Sequence, residues 1–185
     1  MQYSPSVKIF FPEEINYPSL PDDLIEVADE DFQAAMTRPH LSSLDVVGGK
    51  MVIRAPGSAQ LLAQAKAEQA SKMTEACRAA MTGGFPSSAL GGAHTYPSAA
   101  TDQANLNACV IASLLSAAKA DWRISFWCAD PRGHWALINH TAKQIQQVHA
   151  DWLTAHQGHQ ARNQQLQAEI AKAKTVEAVQ AIAWD

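Results

Sequence analysis

Apolar positions recur at two different periods along this chain, and the changes of period mark out three segments. From Gln2 to Phe11 the aromatic and β-branched composition reads as a strand, after which Pro12, Pro18 and Pro21 force an extended, turning connection. Asp29 is placed to cap a short helix from Glu30 to Met36, with acidic residues at its positive end. Asp45-Val46-Val47 and Met51-Val52-Ile53 are two β-branched runs around Gly48-Gly49, a pair that tolerates the positive φ angles of a tight hairpin turn.

From Ser58 to Thr82 the period changes, and the chain becomes Ala, Gln, Lys and Glu without proline, a helix composition. Ser58 is a fair N-cap, and Gly83-Gly84 followed by Pro86 is a stop signal. The apolar stripe is thin: Leu62, Ala65, Met73, Cys77 and Met81, interrupted by Gln69. Without sustained large residues at heptad spacing, the segment reads as a solvated spacer rather than a coiled coil. Gly83 to Gly92 reads as a Gly/Ser/Pro hinge, sensitive to proteases.

Beyond the hinge, His94-Thr95-Tyr96-Pro97 reads as a short strand or extended arm. Thr101 or Ser98 caps a helix whose Leu106, Val110, Leu114 and Ala118 share one face. Arg123 to Ala129 and His134 to Ile138 are strand-like, with Asp130-Pro131-Arg132-Gly133 as the turn between them. Thr141 and Gln144 have capping-box spacing and open a helix carrying Ile145, Val148, Trp152 and Ala155 inward. Leu166 and Ile170 continue an apolar face in a further helical run, and Thr175 caps a last one with Val179 and Ile182. The expected fold is α+β in three parts. Residues 1–54 form an N-terminal strand and hairpin unit, 55–92 a helical spacer and hinge, and 93–185 a helix-rich unit with a β-hairpin.

Composition narrows the class of function. Only 37 of 185 residues are Leu, Ile, Val or Phe, a level at which one large core is not expected. A net charge of −4 with 14 scattered basic residues argues against nucleic acid as the partner. No apolar stretch reaches the ~20 residues needed to span a bilayer, and Met1-Gln2-Tyr3-Ser4-Pro5 lacks the basic and apolar regions of a secretory signal. The expected compartment is the cytoplasm. Three cysteines, Cys77, Cys109 and Cys128, have no spacing suited to a disulfide framework or a zinc site.

No constellation of side chains meets the needs of catalysis. His149, His156 and His159 share a helical stretch, but it holds Gly158 and only Asp151 as a nearby carboxylate, so surface histidines are read rather than metal ligands. Cys128, Asp130 and His134 could sketch a thiol nucleophile with base and orienting acid. Within one hairpin, however, alternation and a tight turn rarely bring three such groups to one atom. Glu13-Glu14 and Asp22-Asp23 read as solvated acids in a Pro-rich segment. The reading is therefore no catalytic residues, no metal and no cofactor. The aromatics point elsewhere: four of five tryptophans lie between Trp122 and Trp152. Exposed members of the group Trp122, Trp127 and Trp135 are the candidates for contact with a protein partner.

The order Tyr3-Ser4-Pro5, Phe10-Phe11-Pro12, Ile15-Asn16-Tyr17, Leu20-Pro21-Asp22-Asp23 and Val27 to Met36 resembles the start of phage tail fibre assembly proteins. The C-terminal unit resembles a domain common in phage tail-associated proteins, which has no assigned chemistry. The residues carrying this likeness are Tyr96-Pro97, Thr101 to Leu106, the hairpin with Trp127 and Trp135, and the run from Thr175 through Glu177 to Trp184. The first resemblance implies a cytoplasmic chaperone of phage or tailocin fibre maturation. Such a protein binds the distal, C-terminal region of the tail fibre protein, assists its trimerisation, and in some cases stays on the finished tip. The alternative is a structural fibre-tip cap or adhesin that contacts the host surface. Self-association through Tyr3, Phe10, Phe11 and Tyr17 is a second arrangement compatible with the sequence.

Overall fold

Tyr3 is the residue around which the N-terminal part of the chain is built. The computed structural model describes residues 1–115 and 121–184, and the chain divides into two units, residues 1–64 and 65–185. In the first unit, β1 (Gln2–Ser4), β2 (Ile9–Phe11) and β3 (Ile25–Glu26) form an antiparallel sheet in the order β2-β1-β3. The single strand expected over Gln2 to Phe11 is thus two strands. Ser4-Pro5 starts a turn in which the Lys8 amide donates to the Ser4 carbonyl at 2.8 Å, with Lys8 at φ 58°. Asp23 secures that turn by accepting from the Ser4 hydroxyl at 2.6 Å and the Ser6 amide at 2.7 Å.

The buried Tyr3 ring packs on Phe10 at 4.8 Å between centroids, and Phe10 meets the edge of Phe32 at 5.0 Å. Phe32 belongs to α1 (Asp29–Met36), whose N-cap is Ala28 without a side-chain bond. Asp29 is therefore inside the first turn rather than capping it, where its charge still favours the positive helix end. β4 (Ser43–Val47) and β5 (Lys50–Arg54) form the expected hairpin, with Gly48 at φ 59° and Gly49 at φ 78°. That double positive φ is the demand of a two-residue turn between right-twisted strands. Helix α2 (Ser58–Thr82) begins in this unit and continues into the second.

In the second unit, β6 (Phe85–Ser87), β7 (His94–Tyr96), β8 (Arg123–Ala129) and β9 (Trp135–Thr141) form an antiparallel sheet in chain order. Helix α3 (Ala100–Leu115) links β7 to β8, α4 (Ala142–Lys172) follows β9, and α5 (Val176–Gln180) comes last. Strand alternation sends Phe126 and Cys128 of β8 to the same side, where they meet Phe85, Tyr96, Leu106 of α3, and Ile145 and Val148 of α4. This buried cluster is the core of the unit.

Three expectations change here. Phe85–Ser87 is not part of a hinge but an edge strand of the sheet. It pairs with β7, buries Phe85, and is fastened by a 2.6 Å bond from the Ser87 hydroxyl to Asp151 of α4. From Ala65 onward α2 is not a solvated spacer. Lys66 donates to the Ala171 carbonyl at 2.7 Å, Gln167 to the Ala70 carbonyl at 2.9 Å, and the Cys77 thiol faces the His159 carbonyl at 3.6 Å. These partners run in opposite chain directions, so α2 lies antiparallel along α4, with Ala65, Met73 and Cys77 buried. Gln69, which interrupts the apolar stripe, is buried too, because its amide donates to the Ile182 carbonyl.

The third change concerns helix ends. Ser98 does not cap α3: its hydroxyl donates to the Met81 carbonyl at 2.7 Å and accepts from the Gly84 amide at 3.0 Å. Asp102 instead reaches back to the Ala99 amide at 3.0 Å. Thr141 and Gln144 do form the full capping box of α4, and Thr175 caps α5. Helix α4 runs unbroken through Gly158, joining two runs that the sequence leaves separate. Ala118, expected on the apolar face of α3, lies outside the described residues.

Candidate functional site

The β8–β9 hairpin places most of the residues singled out by chemistry. Its turn is closed by Asp130, which accepts from the Arg132 amide at 2.8 Å and the His134 amide at 3.0 Å. These bonds hold the Asp130 carboxyl below its usual range, and Gly133 supplies the positive φ, 83°. Asp130 also meets the His134 imidazole at 3.3 Å, an exposed pair. Cys128 does not join them. It is fully buried in the core cluster, and burial pushes its thiol up, which keeps it protonated. The sketched nucleophile, base and acid are therefore not one site.

Cys128 lies instead beside a buried polar pair. The Tyr96 hydroxyl is 2.8 Å from His140 Nε2, and His140 Nδ1 is 2.8 Å from the Ile138 carbonyl. A carbonyl can only accept, so Nδ1 carries the proton and Nε2 accepts from Tyr96. Burial lowers the His140 pKa and raises that of Tyr96, leaving both neutral. No solvent reaches either ring. The pair is a satisfied core contact, not an acid and base facing a substrate.

The α4 histidines are spread out. His149 bonds Asn107 at 3.0 Å and packs on Trp152, and His156 packs on the same Trp at 4.6 Å between centroids. His159 lies against Trp184. Among the described residues no three His, Cys, Asp or Glu side chains form a group able to hold a metal ion. Asp23 is held below its ordinary pKa, chiefly by the Ser4 hydroxyl, and serves the turn described above.

The three tryptophans proposed for partner contact fall into two sets. Trp122 has the parity of Ile124, Phe126 and Cys128 and packs, partly buried, against the core. Trp127 and Trp135 point the other way and are 46% and 45% exposed. The hairpin register sets Trp127 directly opposite Leu137, which is 64% exposed. Because the Asp130 amide bonds the His134 carbonyl, the alternation of the ladder makes Trp127 and Leu137 a non-hydrogen-bonded pair, in which side chains approach most closely. Trp135 lies diagonally beside them. The sequence reading missed Leu137, although the Asp130–Gly133 turn contains the signal: once the turn is centred, pairing across it follows by counting.

This apolar trio is open on the sheet face away from the buried core cluster, and it is a concentration of exposed large side chains suited to a contact. No described helix is long and apolar enough to cross a membrane. No curated protein and no solved structure matches the chain. A family described as Domain of unknown function (DUF4376) matches residues 64–183, which takes in all of α3–α5 and β6–β9 and almost all of the second unit. The chain belongs to this family, whose description assigns it no activity.

Proposed function

We propose that this protein is a tail fibre assembly chaperone of a phage or tailocin, acting by binding rather than catalysis. The observation that carries the reading is the exposed Trp127–Leu137–Trp135 face, joined to the aromatic and Pro-punctuated N-terminal segment that resembles fibre assembly proteins. Exposed apolar clusters on a sheet face mark contact surfaces, and Trp is the side chain that contributes most to them. A fibre subunit has the complementary need. Its interleaved β-structure exposes apolar edges until three chains unite. On this reading the protein works in the host cytoplasm, grips the C-terminal region of the fibre through its second unit, and stays on the tip in some particles.

The test is co-expression of the chain with a candidate phage tail fibre protein. The yield of soluble trimeric fibre should rise with the wild-type protein, and Trp127→Ala combined with Leu137→Ala should abolish the gain without unfolding the chaperone. Fibre that folds equally well alone would point to a tip cap or adhesin instead.

A further inference from the structure

Among the described residues, strand β8 has a neighbour along its whole length on one side only. Its ladder with β9 runs from Arg123↔Thr141 to Ala129↔Trp135, whereas its ladder with β7 is the single pair Thr95↔Ala129. The cause is in the sequence. The next hydrogen-bonded position along β7 is Pro97, which has no N–H to give to Trp127, and the chain turns away into α3. The alternation set by the Asp130–His134 bond turns the N–H and C=O groups of Ser125 and Trp127 away from β9 and toward this gap.

The gap is a groove of about 320 Å³. Its floor is the free edge of β8 at Ser125 and Trp127. One wall is α3 at Asp102, Asn105, Ala108 and Cys109, the other is the Trp127–Leu137 pair, and Pro97 also lines the groove. Two residues of free edge present two donors and two acceptors at strand spacing, a pattern matched by extended backbone and not by a helix or a compact ligand. The apolar wall adds a place for the side chains of such a segment. An occupant would extend pairing along β8 beyond the single Thr95↔Ala129 contact.

We propose that this groove receives an extended segment of the fibre subunit as an added β-strand, bonded to the backbone of Ser125 and Trp127. The proposal rests on the fibre-assembly reading for the source of the strand. It explains why the exposed apolar pair stands beside an open edge: backbone bonds hold the strand, and Trp127 and Leu137 cover it.

Two measurements on the full chain separate this proposal from the reading beneath it. In the first, amide exchange at Ser125 and Trp127 is followed by NMR with an acetylated, amidated octapeptide of alternating threonine and valine, and with the same peptide N-methylated at alternate residues. The unmodified peptide should slow exchange at these two amides by about tenfold, a change of ~1.4 kcal/mol in opening free energy. The N-methylated peptide, and the unmodified peptide with Ala108→Trp, should leave both amides unprotected. Ala108 is exposed on α3, so the substitution fills the groove without entering the core. Equal protection by both peptides, or protection confined to the outer edge of β9, would overturn the proposal. In the second, Ala108→Trp is co-expressed with the fibre. Lost peptide uptake with unchanged fibre yield removes the fibre as the occupant and overturns the proposal. A fibre yield that depends on Trp127 and Leu137 but not on Ala108 leaves the chaperone reading standing and ends the strand proposal.

Discussion

The Tyr96 hydroxyl donates to His140 Nε2 at 2.8 Å, and neither ring is reached by solvent. The bond ties β7 to β9 across β8, so the middle of the sheet depends on one neutral imidazole. Tyr96→Phe leaves that nitrogen buried without a donor and should cost about 1–3 kcal/mol. Chemical denaturation of the two proteins at pH 8 checks this.

Stability should also fall on mild acidification. Burial lowers the His140 pKa below 6.5, and the nearby His94 acts in the same direction; Tyr96, which also faces the ring, stays neutral there because burial raises it. Above 6.5 the folded and unfolded states are both uncharged at this site. As pH falls through 6.5, the unfolded chain takes up a proton that folded His140 does not, so unfolding is favoured until the lowered folded pKa is passed. His156, also lowered by burial, adds to the same slope. Melting temperatures from pH 8 to 5 should drop for the wild type, and His140→Gln should flatten part of that slope.

The tryptophans should separate by face. Trp122→Ala removes packing from the core cluster and is expected to cost about 3 kcal/mol, near the low end for buried aromatic truncation. Trp127→Ala and Trp135→Ala should each cost less than about 1 kcal/mol, because half of each side chain is already in water. Thermal melts of the three single variants, read beside fibre pull-down, decide between contact and core roles. Equal destabilisation by all three would remove Trp127 and Trp135 from the contact surface.

Gly84 should not tolerate a side chain. It sits at φ 99°, and a Cβ there would lie 2.8 Å from the Tyr96 carbonyl oxygen. Gly84→Ala combines backbone strain with a clash against the β6–β7 pairing and should cost on the order of 2 kcal/mol or more. Gly49→Ala meets the same positive φ but open space, so its loss should be the smaller of the two. Denaturation midpoints of the pair give the comparison.

Limited proteolysis should cut at the exposed Gly91-Gly92 rather than at Gly83 to Ser87. The nicked protein should elute as one species under native conditions, since Phe85–Ser87 remains paired with β7 and bonded to Asp151. Separation of the fragments without denaturant would mean that Phe85–Ser87 is not held by the sheet.

What the residues determined alone was local. The Thr141–Gln144 capping box, the Thr175 cap, the Gly48-Gly49 hairpin and the Asp130–Gly133 turn each depend on groups within a few positions of one another. The α+β class and the strand at Arg123–Ala129 followed from the same short-range patterns. The site was half legible: Trp127 and Trp135 stood out by type, but Trp122 could not be told from them. Their difference is which face of β8 receives α3 and α4, and that is decided by packing distant in sequence. Only the tertiary structure buried Gln69, through a carbonyl more than a hundred residues away, and turned Phe85–Ser87, in a stretch flanked by glycines, into a strand by offering it β7 and Asp151. A polar residue or a weak strand former takes its place from the partner it meets, because an unsatisfied buried group costs more than local propensity contributes.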